Sequence, residues 1–208
     1  MFKLFNPDSP ILSFLSDALD FIVLNILGII CALPVVTAGA SFSALTGVMT
    51  SYAQEQTPMR ACDFFARFRA VFLRATLSWV ILLAFGALFF MNLRIVENMP
   101  STIRLIFVSG LLFVSLSVLL TAVMLFPMLS FSNEKYLPAL WKRAFLIGIA
   151  KLPLTLAMAV IQAVPLFLLL IVPRAFLLLS PVWILFWFSL AAFVCAKIGG
   201  RWYAKLQG

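Results

Sequence analysis

The charged residues of this chain leave five long gaps, and those gaps fix the solvent in which it can fold. Residues 21–54, 75–93, 105–133, 152–173 and 175–196 contain no Asp, Glu, Lys or Arg. A charge at the centre of a bilayer costs at least ~2.5–3.5 kcal/mol on insertion scales. About 20 helical residues cover the ~30 Å hydrocarbon core. Four of the gaps have roughly that length, and the first, at 34 residues, exceeds it. Only 11% of the 208 residues are charged and 64% are hydrophobic, whereas soluble domains carry about 25% charged residues. Such a chain cannot cover itself with polar surface in water, so lipid is its solvent.

The long first gap divides at LPVVTAGAS, where Pro34 and Gly39 interrupt helix. The part before the break extends back to a helix start with Ser9 as N-cap and Pro10 at the first helical position. The part after it is weakly hydrophobic. Its Gly39, Ser43, Gly47 and Ser51 recur at every fourth position, which lines one helix face with small side chains and lets another helix approach closely. These residues are the candidate helix-packing face of a short sixth helix buried in the bundle.

Between the second and third apolar segments, Phe64, Phe65, Phe68, Val71 and Phe72 share one helix face, and Arg60, Arg67 and Arg74 share another. Leu137, Leu140, Trp141, Ala144 and Phe145 repeat the stripe beside Lys142 and Arg143, with Lys151 before the next span. Both stretches read as interfacial helices with rings in the acyl boundary and cations at headgroup level. Arg60, Arg67, Arg74, Lys142, Arg143 and Lys151 are the candidate contacts to lipid or a partner. Two elbows, each followed by a helical hairpin, suggest a degenerate parallel repeat of about 75 residues.

The expected fold is therefore all-α: one polytopic transmembrane helix bundle over residues 1–208, with five strong spans, a short sixth helix and two amphipathic cytoplasmic elbow helices. The helices run over about 9–33, 39–54, 75–95, 104–127, 152–172 and 175–200, with interfacial helices at about 61–74 and 137–149. If the sixth helix crosses, one side holds Lys3, Arg60, Arg67, Arg69, Arg74, Lys135, Lys142, Arg143, Lys151, Lys197, Arg201 and Lys205, and the other keeps Arg94, Arg104 and Arg174. The positive-inside rule then places the C-terminus in the cytoplasm. The first residues, MFKLFNPDSP, lack the pattern of a cleaved secretory signal, so the N-terminus is expected to be retained.

The net charge of +8 is accounted for by these clusters beside apolar runs, and no nucleic-acid partner is expected. The sequence has no histidine, and its three cysteines, Cys31, Cys62 and Cys195, show no paired spacing. With no nucleophile triad, phosphate loop or metal spacing either, the expectation is a protein that is not an enzyme and takes no cofactor or metal. Asn25 and Gln162 are the candidate intramembrane polar contacts; a hydrogen bond between helices is the commoner role for such residues. Asp17 and Asp20, one turn apart, are placed at the interface.

The stretches FNPDSP (Phe5 to Pro10), LNILGIICALPVVTAGAS (Leu24 to Ser41), DFFARFRAVFLRATLSW (Asp63 to Trp79), FPMLSFSN (Phe126 to Asn133) and AFLIGIAKLPLT (Ala144 to Thr155) together resemble the YesL-like family of small bacterial membrane proteins. The resemblance implies a multi-pass protein of the bacterial cell membrane, with no established activity and no residue roles to carry over. Members are commonly encoded near carbohydrate importers and their sensor kinases. It therefore implies a role accessory to carbohydrate uptake or its regulation, with an importer or sensor kinase as partner. A free-standing small-molecule transporter or channel is the competing expectation, and oligomeric state is left open.

Overall fold

The structure, a computed structural model, describes residues 10–55, 57–96, 100–132 and 136–203. The Ser9 cap, together with Lys3, Lys135 and Lys205, lies outside them. The described residues are helical, without a strand. Helix α1 (Pro10–Ala32) ends before Pro34, and a single 3₁₀ turn (Val35–Thr37) leads into α2 (Ala38–Glu55). Next come α3 (Ala61–Val96), α4 (Ser101–Phe131), α5 (Leu137–Ala150), α6 (Leu152–Ile171), α7 (Pro173–Leu178), α8 (Ser180–Val182) and α9 (Phe188–Tyr203). A π-helical turn, Trp183–Trp187, joins the last two.

Four helical segments are long and apolar enough to cross a membrane: Leu15–Ala32, Ala61–Val96, Ser101–Phe131 and Ser180–Gly199. Counting α5 and α6 as one broken span gives five. The protein is thus a multi-pass, all-α membrane bundle. Its exposed surface is rich in large apolar side chains, among them Leu83, Phe90, Leu105 and Phe113, as a lipid-dissolved protein requires.

The least apolar helix is the most buried. From Gly39 to Thr50 every residue of α2 except Phe42 is shielded from solvent, and α2 packs against α1, α3, α4 and α9. Two properties permit this. Its side chains are small, and its hydroxyls are satisfied inside the protein: Thr46 Oγ1 donates to the Phe42 carbonyl at 2.9 Å and Thr50 Oγ1 to the Thr46 carbonyl at 2.6 Å. A buried hydroxyl with a partner escapes the desolvation penalty of an unpaired one. The apolar core divides around this helix, with Leu125, Leu129, Leu140 and Met158 on one side and Leu24, Met49 and Phe64 on the other.

The structure departs from the expected elements at three places. The interfacial helix at 61–74 and the span at 75–95 are a single 36-residue helix, α3. No glycine or proline lies between Ala61 and Phe85 to break it, and two of its arginines find partners inside the protein, which removes the reason to bend into the interface. The second elbow, expected at 137–149, is a separate helix, α5, which meets α6 at a 103° bend. The centre of its apolar stripe lies on protein: Leu140 and Ala144 are fully buried, and Gly148 sits against the Leu120 carbonyl of α4, while Phe145 stays exposed. One unit of the proposed repeat thus has an unbroken helix where the other turns sharply. Finally, the helix expected at 175–200 is broken at Leu179, because Pro181 cannot extend a helix from its N-terminal side and instead occupies the first turn of α8.

The hairpins have unequal reach. Trp79 Nε1 donates to the Val35 carbonyl at 2.6 Å, so the turn between α1 and α2 lies beside the middle of α3. Residues 80–96 of α3 continue past that turn for ~25 Å at ~1.5 Å per residue. At the other end, Tyr52 Oη donates to the Asp17 carboxylate at 3.0 Å, drawing the start of α1 to the end of α2. The start of α1 and the α2–α3 connection therefore share a membrane face. Cysteines introduced at the exposed Ser16 and Thr57 are expected to react with an impermeant maleimide from the same side; reaction from opposite sides would refute this pairing.

Candidate functional site

The packing face of α2 fits the groove between α3 and α4. A Cβ placed on Gly39 would lie 2.6 Å from Trp79 Cβ and 3.0 Å from both the Ala75 carbonyl oxygen and the Phe126 ring. One placed on Gly47 would collide with the Ser130 hydroxyl and lie 2.9 Å from Ser130 Cβ and 3.2 Å from Arg67 Cδ. Between them, Ser43 Oγ donates to the Phe126 carbonyl at 2.8 Å, next to Pro127 in α4. The rings of Phe42, Phe126 and Trp79 close the upper part of this junction, Phe126 meeting each of the others edge to face at centroid distances of 5.8 and 5.9 Å.

Ser51, last of the four small residues, is where the basic face meets the packing face. Arg67 donates to Ser51 Oγ at 2.6 Å and to Ser130 Oγ at 3.4 Å, and its guanidinium lies 5.3 Å from the centre of the Phe131 ring. Arg74 donates to the Ser132 carbonyl at 3.2 Å, at the C-terminal end of α4, where the unsatisfied carbonyls and the helix dipole favour a cation. Both residues, read from the sequence as lipid or partner contacts, thus join helices of the same chain, Arg67 tying α3 to α2 and α4 and Arg74 tying α3 to the end of α4. Arg60, Lys142 and Arg143 remain exposed, and Lys151 is half-buried at the α5–α6 bend. The direction of an arginine side chain is set by its tertiary neighbours, and the small serines that receive Arg67 give no individual signal in sequence.

The geometry of Arg67 yields a direct expectation. Charge-assisted hydrogen bonds are worth ~1.5–3 kcal/mol, so Arg67→Ala should destabilise the protein by about 2 kcal/mol in an SDS-unfolding titration. Arg67→Lys should recover less than half, because a single ammonium cannot reproduce the fork to two hydroxyls. Arg69→Ala, on the exposed face, should change stability by less than ~0.5 kcal/mol.

Asn25 is fully buried and stands in the hydrogen-bond ladder of the π-turn. Its Nδ2 donates to the carbonyls of Ile184 at 2.6 Å and Trp183 at 3.3 Å, while its Oδ1 accepts from the Ser189 backbone N–H at 2.8 Å. A π-turn shifts the helical register by one residue, and the amide of α1 satisfies the groups displaced by that shift. Gln162 is half-buried on α6, with Nε2 3.9 Å from Cys195 Sγ. Asn25 and Gln162 are therefore in different settings, one a structural pin and the other weakly engaged.

Gln162 lines a hollow between α1, α2, α3, α4, α6 and the π-turn continued by α9, which sequence reasoning did not anticipate. Its lining is drawn from six segments of chain, so no local pattern announces it. Among the described residues, no group of three or more Cys, Asp or Glu side chains could hold a metal ion.

A family described as "Protein of unknown function, DUF624" has a sequence model that matches residues 21–93. That match spans the second half of α1, all of α2 and α3 to Leu93, or 73 of the 208 residues. The chain is similar to that family over this part. No curated protein and no solved structure matches the chain.

Proposed function

We propose that this chain is an accessory protein of the bacterial cell membrane, C-terminus in the cytoplasm, that assists carbohydrate uptake or its regulation through contact with an importer or a sensor kinase. It is not an enzyme in this reading. The observation that carries it is how the interior polar groups are used. Asn25, Ser41, Ser43, Thr46 and Thr50 all donate to backbone carbonyls within the bundle. Side chains so engaged are turned to helix backbone, whereas a sugar pathway would need them turned toward a water-lined cavity. Arg60, Lys142 and Arg143 stay exposed and could meet an acidic partner surface. The positive-inside distribution supports the orientation, and the likeness to a YesL-like protein over the quoted stretches supports the physiological setting.

The test pairs two measurements. Purified protein in proteoliposomes should give no sugar flux above empty vesicles, and deletion in the source bacterium should slow uptake by an intact importer. Wild-type protein should restore that uptake, and an Arg60→Glu, Lys142→Glu, Arg143→Glu triple variant should not. Flux through the purified protein alone would establish the transporter reading instead, and unchanged uptake on deletion would end the accessory one.

A further inference from the structure

The hollow beside Gln162 encloses about 380 Å³, within the ~300–1,000 Å³ of small-molecule sites. Gly28 and Ala32 of α1 and Ala191 of α9 are small residues on its lining, with Trp79 and Trp187 among its walls. Two polar side chains line it. Ser41 is already engaged, donating to the Gly28 carbonyl at 2.6 Å. Gln162 has only the 3.9 Å contact to a thiol among its described hydrogen bonds, a weak partner for a carboxamide. No charged side chain lines the space.

These features select an occupant. An apolar hollow does not hold water stably, and walls without neighbours forfeit dispersion contacts. The medium around the bundle is hydrocarbon, so an acyl chain is the filler at hand. A phosphate or carboxylate head would enter without a counter-charge, and a sugar ring would leave most of its hydroxyls unpaired. A neutral head that presents a hydroxyl or an ester to Gln162 needs no counter-charge and suits a single amide. We infer that this cavity binds the hydrocarbon chain of a neutral single-chain lipid, with a hydroxyl or ester of its head hydrogen-bonded to Gln162. The inference stands independently of the accessory role.

The experiment uses the full chain in phosphatidylcholine vesicles, with a monoglyceride brominated on its acyl chain as the probe and tryptophan fluorescence as the readout. Quenching should saturate as the probe fills the site beside Trp79 and Trp187. Ala32→Phe and Ala191→Phe, which fill the hollow from different helices, should each leave only quenching that rises linearly with the brominated fraction. Gln162→Leu should weaken the monoglyceride about fivefold, while leaving a brominated alkane of the same length unaffected. Helical circular dichroism and monodisperse elution identify the folded variants, and either filling variant suffices. Linear quenching in the wild type, or saturation that survives a folded filling variant, would overturn the site. An unchanged monoglyceride affinity in Gln162→Leu would overturn the assignment of the head group.

Discussion

Alanine at Gly39 or Gly47 should destabilise the bundle more than any other single added methyl group, by about 2–3 kcal/mol in SDS unfolding, with the protein failing to accumulate in the membrane if the groove cannot widen. Overpacking ordinarily costs ~1–3 kcal/mol, and here little can give way. At Gly39 the obstacles 2.6 and 3.0 Å from the new methyl are a Cβ and a backbone carbonyl on α3, both fixed to the helix itself. At Gly47 the methyl would displace Ser130, and with it one of the hydroxyls that receive Arg67. The sign should reverse on the extended part of the α3–α4 hairpin. A Cβ on Gly86 or Gly110 meets nothing within 4 Å, so alanine there should gain up to ~0.5–1 kcal/mol from helix propensity alone. Four variants differing by one methyl group each thus separate close packing from a general intolerance of substitution.

The second large effect is expected at Asn25. Asn25→Leu strips the carbonyls of Trp183 and Ile184 and the N–H of Ser189 of their side-chain partner at a fully buried position. Hydrogen bonds between membrane helices average ~0.6 kcal/mol and reach ~1.7, and a buried group left without a partner costs ~1–3 kcal/mol. With three groups affected, the loss should be about 2–4 kcal/mol. Asn25→Asp should be at least as damaging, because it keeps the acceptor for Ser189 but turns negative oxygens toward two carbonyls. Gln162→Leu should cost well under 1 kcal/mol, since its thiol contact at 3.9 Å is weak.

Some of this architecture was legible in the residues. Uncharged windows of membrane length exist for one physical reason, and the structure fills 75–93, 105–133 and 152–173 with one main helix each, divides 21–54 between α1 and α2, and breaks 175–196 at Leu179. The four-residue spacing of Gly39, Ser43, Gly47 and Ser51 carries the placement of α2 where hydropathy alone reads a loop, because small side chains report helix proximity rather than solvent. The continuity of α3 was also open to reading, in the lack of any breaker from Ala61 to Phe85. Amphipathicity obscured it, since an arginine stripe suggests an interface whether its partner is a headgroup or a serine on the next helix. The partners of Asn25 were hidden for a different reason: they are backbone groups exposed by a π-turn, and backbone has no signature in residue type. The hollow beside Gln162 depends on how six segments meet, and only tertiary structure shows it.

The central claim is that a weakly apolar helix forms a dry centre to this membrane bundle. Its most direct test is the reactivity of single cysteines at Thr46 and Thr50, with Cys31, Cys62 and Cys195 replaced by alanine. Both positions are almost fully shielded, so they should resist a water-soluble maleimide from either face of the membrane until SDS unfolds the protein, while a cysteine at Thr57 reacts at once. Labelling of Thr46→Cys or Thr50→Cys in the folded protein, at a rate near that of Thr57→Cys, would mean that water reaches α2 and would contradict this account.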